Sequence, residues 1–170
     1  MHYYNVSIKK KRVMVLNINN EELIKKKIAD KDTAKLKYKQ KLNSIKQHYG
    51  IEFDVEHLKN NEVENIRFVN LKYKNGFENV CVNYNPNSKK ISYIDYEFTD
   101  TRIVKNTKHK KLAATLEKDY KLNLIVGEIE RANNDYVREL EEIDNYYVEL
   151  EKNNSEKIKE LDITKKDKNE

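Results

Sequence analysis

Apolar and polar positions alternate along three segments between residues 63 and 99, a pattern typical of antiparallel strands that bury one face. The segments read VENIRFVNLKY, FENVCVNY and KKISYIDYEF, and they are separated by Asn75-Gly76 and by Asn85-Pro86-Asn87-Ser88. Asn-Gly tolerates the two positive φ angles of a tight hairpin, and the proline favours the second turn. The spacing therefore predicts a three-stranded antiparallel meander over residues 63–99.

The parity of the apolar positions predicts which side chains of this meander face the core. In the first strand, Leu71 has the opposite parity to Ile66 and Phe68, which predicts a β-bulge near Val69 and Asn70. In the second and third strands the side chains expected to face inward are Val80, Val82, Tyr84, Ile94, Tyr96 and Phe98.

The chain before the meander predicts a strand and then a helix. Apolar and β-branched residues over 3–17 favour a strand or a short hairpin. A helix is predicted from Asn19 or Asn20 to Tyr49, where Gly50 supplies a stop signal, with a break near Asp32 as an alternative. The apolar face of this helix is expected to consist of Ile24, Ile28, Tyr38, Leu42, Ile45 and Tyr49.

A long C-terminal helical arm is predicted over residues 106–162, followed by a disordered polar tail over 163–170. Gly127 either lies within one continuous helix or marks a bend between two. Apolar residues recur every three or four positions, which is the spacing of a coiled-coil-like seam. The seam consists of Ile129, Ala132, Tyr136, Leu140, Ile143, Tyr147, Leu150, Asn154, Ile158 and Leu161.

Together these elements predict an α+β fold in which a small antiparallel sheet packs with long N-terminal and C-terminal helices. The sheet would contain the meander and the N-terminal strand or hairpin. With 170 residues, of which 38% are hydrophobic and 37% charged, the chain suits one domain over 1–162 with large solvated surfaces.

Charge is sorted along the chain, and this suggests how the seam is used. Residues 1–111 carry 24 Lys and Arg against 13 Asp and Glu, whereas residues 112–170 carry 10 against 16. The seam could therefore pack antiparallel on the basic helix 20–49 of the same chain. Alternatively it binds a second copy or another protein, through Tyr136, Leu140, Ile143, Tyr147 and Leu150.

Two basic clusters are candidate nucleic-acid contacts. They consist of Lys9, Lys10, Lys11 and Arg12, and of Arg102, Lys105, Lys108, Lys110 and Lys111. Lysines at a helix start oppose the helix dipole, and a bound anion would relieve that conflict. The alternative is a solvated surface, because a bias of 29 Lys to 5 Arg with 22 Asn also follows from A/T-rich coding. Lysine supplies a point charge without the guanidinium fork, so binding would be weakly specific.

No catalytic motif is found, and we expect no catalytic residue, no metal ligand and no cofactor. Asp95 and Glu97 share a strand face and could in principle serve a metal-dependent nuclease, although such pairs are more often surface partners. Cys81 has no internal disulfide partner, and the sequence contains no apolar run long enough to cross a membrane. These features predict a cytoplasmic protein that does not associate with membranes.

The sequence therefore favours a non-catalytic regulatory protein that binds nucleic acid or a nucleoprotein complex through its basic clusters. The alternative is a protein inhibitor of the type that phages and mobile elements use against host nucleic-acid or defence enzymes. Such an inhibitor would present the acidic helix to a basic groove on its target. Partner identity and oligomeric state do not follow from the sequence.

Overall fold

The computed structural model describes residues 2–73, 77–96, 102–103 and 107–168, with side chains described over 20–71, 80–94 and 110–155. Over these residues the chain forms an α+β fold with three helices and one antiparallel sheet. In chain order the elements are α1 (His2–Tyr49), β1 (Glu52–His57), β2 (Val63–Tyr73), β3 (Phe77–Asn85), β4 (Lys90–Tyr96), β5 (Arg102–Ile103), α2 (Thr107–Glu117) and α3 (Tyr120–Lys168).

The sheet is a simple meander, because its spatial order β1-β2-β3-β4-β5 is also the chain order. The predicted three-stranded meander is confirmed as β2, β3 and β4, which pair antiparallel. Two strands were not predicted: β1, which pairs with β2, and the two-residue β5, which pairs with β4. The predicted Asn75-Gly76 turn and residues 97–99 lie outside the described residues.

The predicted bulge in β2 is confirmed. The register with β3 shifts between Phe68 and Leu71, and Asn70 has a φ of 54°. Asparagine adopts this left-handed region more readily than most residues, because its short side chain bonds locally. The bulge returns Leu71 to the core side, where it packs against the buried residues.

The N-terminal prediction is wrong: residues 3–17 belong to α1, which begins at His2. The break near Asp32 is also absent, since α1 is continuous to Tyr49. No glycine or proline occurs before Gly50, so nothing in the chain interrupts a helix once it has formed. The end of the helix is as predicted, with Gly50 at a φ of 61° and the Ile51 amide donating to the Lys46 carbonyl oxygen at 3.1 Å.

The C-terminal helices differ in their boundary from the prediction. The break falls at Lys118 and Asp119, where the Asp119 carboxylate accepts a hydrogen bond from the Leu122 amide at 2.9 Å and caps α3. Gly127 lies within α3, which therefore does not end there. Helix α3 also continues through residues 163–168, which the sequence predicts as tail, because no glycine or proline stops it.

Two compact units can be distinguished along the chain. Unit 1 comprises Met1–Lys35 and Arg138–Glu170, and unit 2 comprises Leu36–Val137. In unit 2 the helices cover one face of the sheet. Its buried core consists of Phe53, Val63, Ile66, Phe68, Val80, Val82, Tyr84, Ile91, Ile94, Leu112, Ala113, Leu116, Leu122, Ile125, Val126 and Ile129.

Unit 1 contains an antiparallel pair formed by α1 and α3. Lys27 and Lys31 contact Asp144 at 3.4 and 2.7 Å, and the Tyr147 hydroxyl donates to Asp30 at 2.5 Å. The predicted face of α1 is wrong in this unit, because Ile24 and Ile28 are each 55% exposed. In this part of α1, Lys27, Lys31 and Asp30 contact α3 instead.

Candidate functional site

Helix α2 presents the part of the predicted basic junction that the structure describes. Lys110 and Lys111 are exposed, whereas Leu112, Ala113 and Leu116 are buried against the core. Lys118, in the turn that follows α2, is also exposed. We call Lys110, Lys111 and Lys118 the lysine stripe.

The carboxylates nearest in sequence to the lysine stripe are bonded to backbone donors. Glu117 accepts a hydrogen bond from the Ile91 amide at 2.9 Å, and Asp119 accepts one from the Leu122 amide at the same distance. Among the described residues, no carboxylate forms an ion pair with the lysine stripe. The charge of these lysines therefore faces solvent.

The remaining basic candidates are only partly described. Arg102 lies in β5 and Lys108 in the first turn of α2, but their side chains lie outside the described part. Lys105 lies outside it altogether. Lys9, Lys10, Lys11 and Arg12 lie in α1, and their side chains are likewise outside the described part.

Two of the five predicted partner-binding residues, Tyr136 and Tyr147, contact α1. Within unit 2, Tyr136 stacks on Tyr38 with ring centroids 4.8 Å apart. Within unit 1, Tyr147 is 4% exposed, and its hydrogen bond to Asp30 raises the pKa of the hydroxyl to about 12. Leu140, Ile143 and Leu150 are half-buried. Tyr147 could meet a partner only if this helix pair opened.

A second candidate site was missed by the sequence reasoning. It lies at the end of the sheet in unit 2, where the β1–β2 and β3–β4 turns meet α3. We call it the sheet-end pocket. It has a volume of about 330 Å³ and is lined by Glu62, Val63, Pro86, Asn87, Glu130, Asn133 and Asn134.

Local hydrogen bonds fix both turns of the sheet-end pocket. The Glu62 amide donates to the Asn60 side chain at 3.2 Å, and the Leu58 amide donates to the Glu62 carbonyl oxygen at 2.8 Å. The Asn85 side chain accepts from the amides of Asn87 and Ser88 at 2.9 and 3.3 Å. Both turns close at the same end of the sheet because alternate connections of an antiparallel meander do so.

Helix α3 supplies the third wall of the pocket. This wall contains a carboxyl group with a raised pKa and a buried amide oxygen. Glu130, Asn133 and Asn134 are spaced by three and four residues, so they share one helix face. Burial raises the pKa of the Glu130 carboxyl, while the Lys89 ammonium lowers it by less. Asn133 is 4% exposed, and its buried Oδ1 has no hydrogen-bond partner. The only sequence signal was this Glu-x-x-Asn-Asn spacing on the predicted arm.

The structure does not support the predicted carboxylate pair, Asp95 and Glu97, as a site. Asp95 pairs with Cys81 across β3 and β4, but the Asp95 side chain and all of Glu97 lie outside the described part. Within the described residues, no group of three or more His, Cys, Asp or Glu could hold a metal ion. In the same residues, no helix is long and apolar enough to span a membrane.

Comparisons with known proteins do not indicate a function, so the proposal below is argued from the sites described above. No protein-family model, no curated protein and no solved structure matches the chain.

Proposed function

We propose that this protein is a non-catalytic regulatory protein that binds nucleic acid or a nucleoprotein complex, using no cofactor. The lysine stripe, extended by Arg102, Lys105 and Lys108, would make the contact. The observation that carries the proposal is the uncompensated charge on α2: Lys110 and Lys111 are exposed, while Glu117 and Asp119 accept hydrogen bonds from backbone amides. A free cysteine, Cys81, suits the reducing cytoplasm in which we place the protein.

Phosphate groups would relieve two unfavourable features of α2 together. The first turn of α2 contains no acidic residue, so its partial positive charge is reinforced by Lys108 and Lys110. An anion near this turn would meet both the backbone amides and the ammonium groups. Lysine offers no bidentate fork for a base edge, so the contact would be to the backbone of the nucleic acid and largely independent of sequence.

The test is salt-dependent binding to a mixed-sequence duplex, measured by fluorescence anisotropy. Changing Lys105, Lys108, Lys110 and Lys111 to Gln should weaken binding by a similar factor for every sequence. The slope of log affinity against log salt should fall by about 0.9 for each phosphate that the variant no longer neutralises.

A matched control removes the same type of charge from unit 1, where Lys25, Lys26 and Lys35 are exposed. Changing these three to Gln should leave most of the binding intact. Equal weakening by both sets would mean that the chain binds only through its overall charge. No duplex or single-strand binding at low salt would refute the proposal.

The second candidate function is inhibition of a host nucleic-acid or defence enzyme. The acidic face of α3 would bind the enzyme, and the protein would resemble in this the inhibitors that phages and mobile elements produce. This function is favoured by the exposure of Glu141, Glu142 and Glu149, which form no ion pair with another described residue. Changing these three to Gln would then abolish activity, whereas the lysine substitutions on α2 would not. Opposite results would favour nucleic-acid binding.

A further inference from the structure

The helix pair of unit 1 carries exposed apolar side chains. Ile24 and Ile28 of α1 are each 55% exposed, and Val148 of α3 is 51% exposed. On a helix, residues three or four positions apart are neighbours, so Ile28 adjoins Lys31 and Val148 adjoins Asp144. Lys31 and Asp144 are in contact with each other. Ile24, Ile28 and Val148 therefore lie beside the same ion pair, and we call them the apolar patch.

Charged residues that form no ion pair within the chain flank the apolar patch. On α1, Glu21 lies one turn before the patch and Lys35 two turns after it. On α3, Glu141 lies two turns before it and Lys152 one turn after it. Spacings of three, four or seven residues keep side chains on one face of a helix, so all four lie on the side of the patch. All four are exposed, and among the described residues none of them forms an ion pair.

These flanking charges are complementary to those of a second copy of the same chain. Because α1 and α3 are antiparallel, Glu21 and Lys152 lie toward one end of the pair, and Lys35 and Glu141 toward the other. When two copies face each other about a twofold axis parallel to the helices, α1 of each copy lies over α3 of the other. Opposite charges then meet on both sides of the two apolar patches, which is the pattern that selects a partner and its register.

The helix pair is also large enough for such an interface. Unit 1 includes α1 up to Lys35 and α3 from Arg138 to Lys168, so the two helical segments are about 50 and 45 Å long at 1.5 Å per residue. Two helices packed side by side are roughly 20 Å wide, so one face covers roughly 900 Å². A stable dimer buries about 800 Å² on each partner.

We propose that unit 1 forms a twofold-symmetric dimer with a second copy of this chain. The apolar patches meet at its centre, Glu21 pairs with Lys152 of the second copy, and Lys35 pairs with Glu141 of the second copy. The contacts between α1 and α3 within each chain are retained, because the patch lies beside them. Nucleic-acid binding by the lysine stripe does not require this dimer, so either proposal can fail without the other.

The experiment is analytical ultracentrifugation of the full chain without nucleic acid. Over roughly 1–500 μM the mass should rise from that of one chain toward that of two, with a Kd in the micromolar range. Added salt should weaken the association, because the flanking ion pairs are exposed to solvent.

A first pair of variants tests the apolar patch. Ile24→Gln combined with Ile28→Gln should raise the Kd of the dimer at least tenfold, because both side chains lose their apolar contact with the second copy. Leu58→Gln is the matched control: Leu58 is 42% exposed between β1 and β2 of unit 2, and its replacement should leave the Kd unchanged.

An exchange of charge tests the pairing across the interface and is independent of misfolding. Lys35→Glu and Glu141→Lys, each made alone, should raise the Kd at least fivefold, because like charges then meet twice in every dimer. An equimolar mixture of the two variants should regain the natural mass. In the mixed dimer the exchanged charges meet in one half of the interface and the natural charges meet in the other.

Several outcomes would overturn the proposal. A single-chain mass over the whole concentration range would mean that this face is left to solvent or to another protein. A mass above that of two chains would contradict a closed twofold interface. The proposal is equally wrong if the double isoleucine variant associates as well as the natural chain, or if the mixture of charge variants associates no better than each variant alone.

Discussion

A buried amide oxygen without a donor costs about 1–3 kcal/mol, and Asn133 carries such an atom in the described part of unit 2. Its neighbours on the same helix face behave differently: Asn134 is exposed and can bond water, and Glu130 is half-buried. The fold thus retains an energetic cost at one side chain of the sheet-end pocket. Sites that bind ligands often carry costs of this kind.

Replacing Asn133 by Leu should stabilise the protein by about 1 kcal/mol, because an apolar side chain of similar length leaves no polar atom unpaired. Urea unfolding of the full chain measures the change. Asn134→Leu is the control and should lie within about 0.5 kcal/mol of the natural chain, since its side chain is solvated in both states. A loss of stability with Asn133→Leu would mean that the amide already has a partner.

Sequence reasoning predicted single residues well on the sheet and poorly on α1. Val80, Val82, Tyr84 and Ile94 are buried as expected, because an alternating strand has only two faces. Ile24 and Ile28 were assigned to the core by their apolar character, yet they are exposed. The orphaned oxygen of Asn133 could not be predicted, because it depends on which donors the tertiary structure brings near it.

At the scale of elements, the meander and the stop at Gly50 followed from local rules, whereas the strand over 3–17 did not form. Strand propensity depends strongly on whether a sheet edge is present to receive the segment. Strand β1 was overlooked although Phe53 and Val55 alternate with three acids. Its pattern is short and acidic, and it becomes a strand because β2 provides pairing groups.

The pairing of α1 with α3 in unit 1 should depend on pH through Asp144. Hydrogen bonds from Lys31 lower the pKa of this carboxyl below its ordinary value of 3.8, against a smaller opposing effect of burial and with further help from Lys27. A lowered pKa contributes stability that is present above the ordinary value and is lost as pH falls through the lowered one. The side chain of Asp144 is 46% exposed, so solvent screening limits the effect to about 0.5 kcal/mol.

Asp144→Asn should therefore reduce stability at pH 7 by about that amount, and the difference from the natural chain should shrink as pH falls below 3.8. Thermal unfolding at several pH values measures it. Asp32→Asn is the matched control, because Asp32 is exposed and forms no ion pair with α3 among the described residues. A difference that grew toward acid pH would contradict the assigned sign.

At the scale of the whole molecule, ion pairs between the long helices explain part of the separation of basic and acidic residues along the chain. Basic α1 and acidic α3 meet through Lys27, Lys31 and Asp144 in unit 1, and through Lys41 and Asp135 at 3.5 Å in unit 2. The intramolecular interpretation of the seam is therefore the one that these ion pairs support. The division into two units had no sequence signal, because both long helices run through the boundary without a glycine or proline.

Replacing Leu140 and Ile143 by Asp should disrupt unit 1. Both side chains are half-buried on the seam of α3, and each new carboxylate would lose hydration there at a cost of about 1–3 kcal/mol. Hydrogen exchange should report faster exchange over residues 20–35 and 138–155 than in the natural chain. Glu141→Asp with Glu142→Asp changes two exposed positions of the same turn and should have little effect. Unchanged exchange in the seam variant would show that this face is not packed.

Strand β1 has a consequence for how the protein behaves at high concentration. It stands at an edge of the sheet, and its three acids, Glu52, Asp54 and Glu56, are exposed. An edge strand offers unpaired backbone groups to other molecules, and like charges keep two such edges apart. Changing all three to Gln or Asn should leave the native fold intact but promote aggregation on concentration, visible as light scattering. That result would give the acids of β1 a role in preventing edge-to-edge association of the sheet.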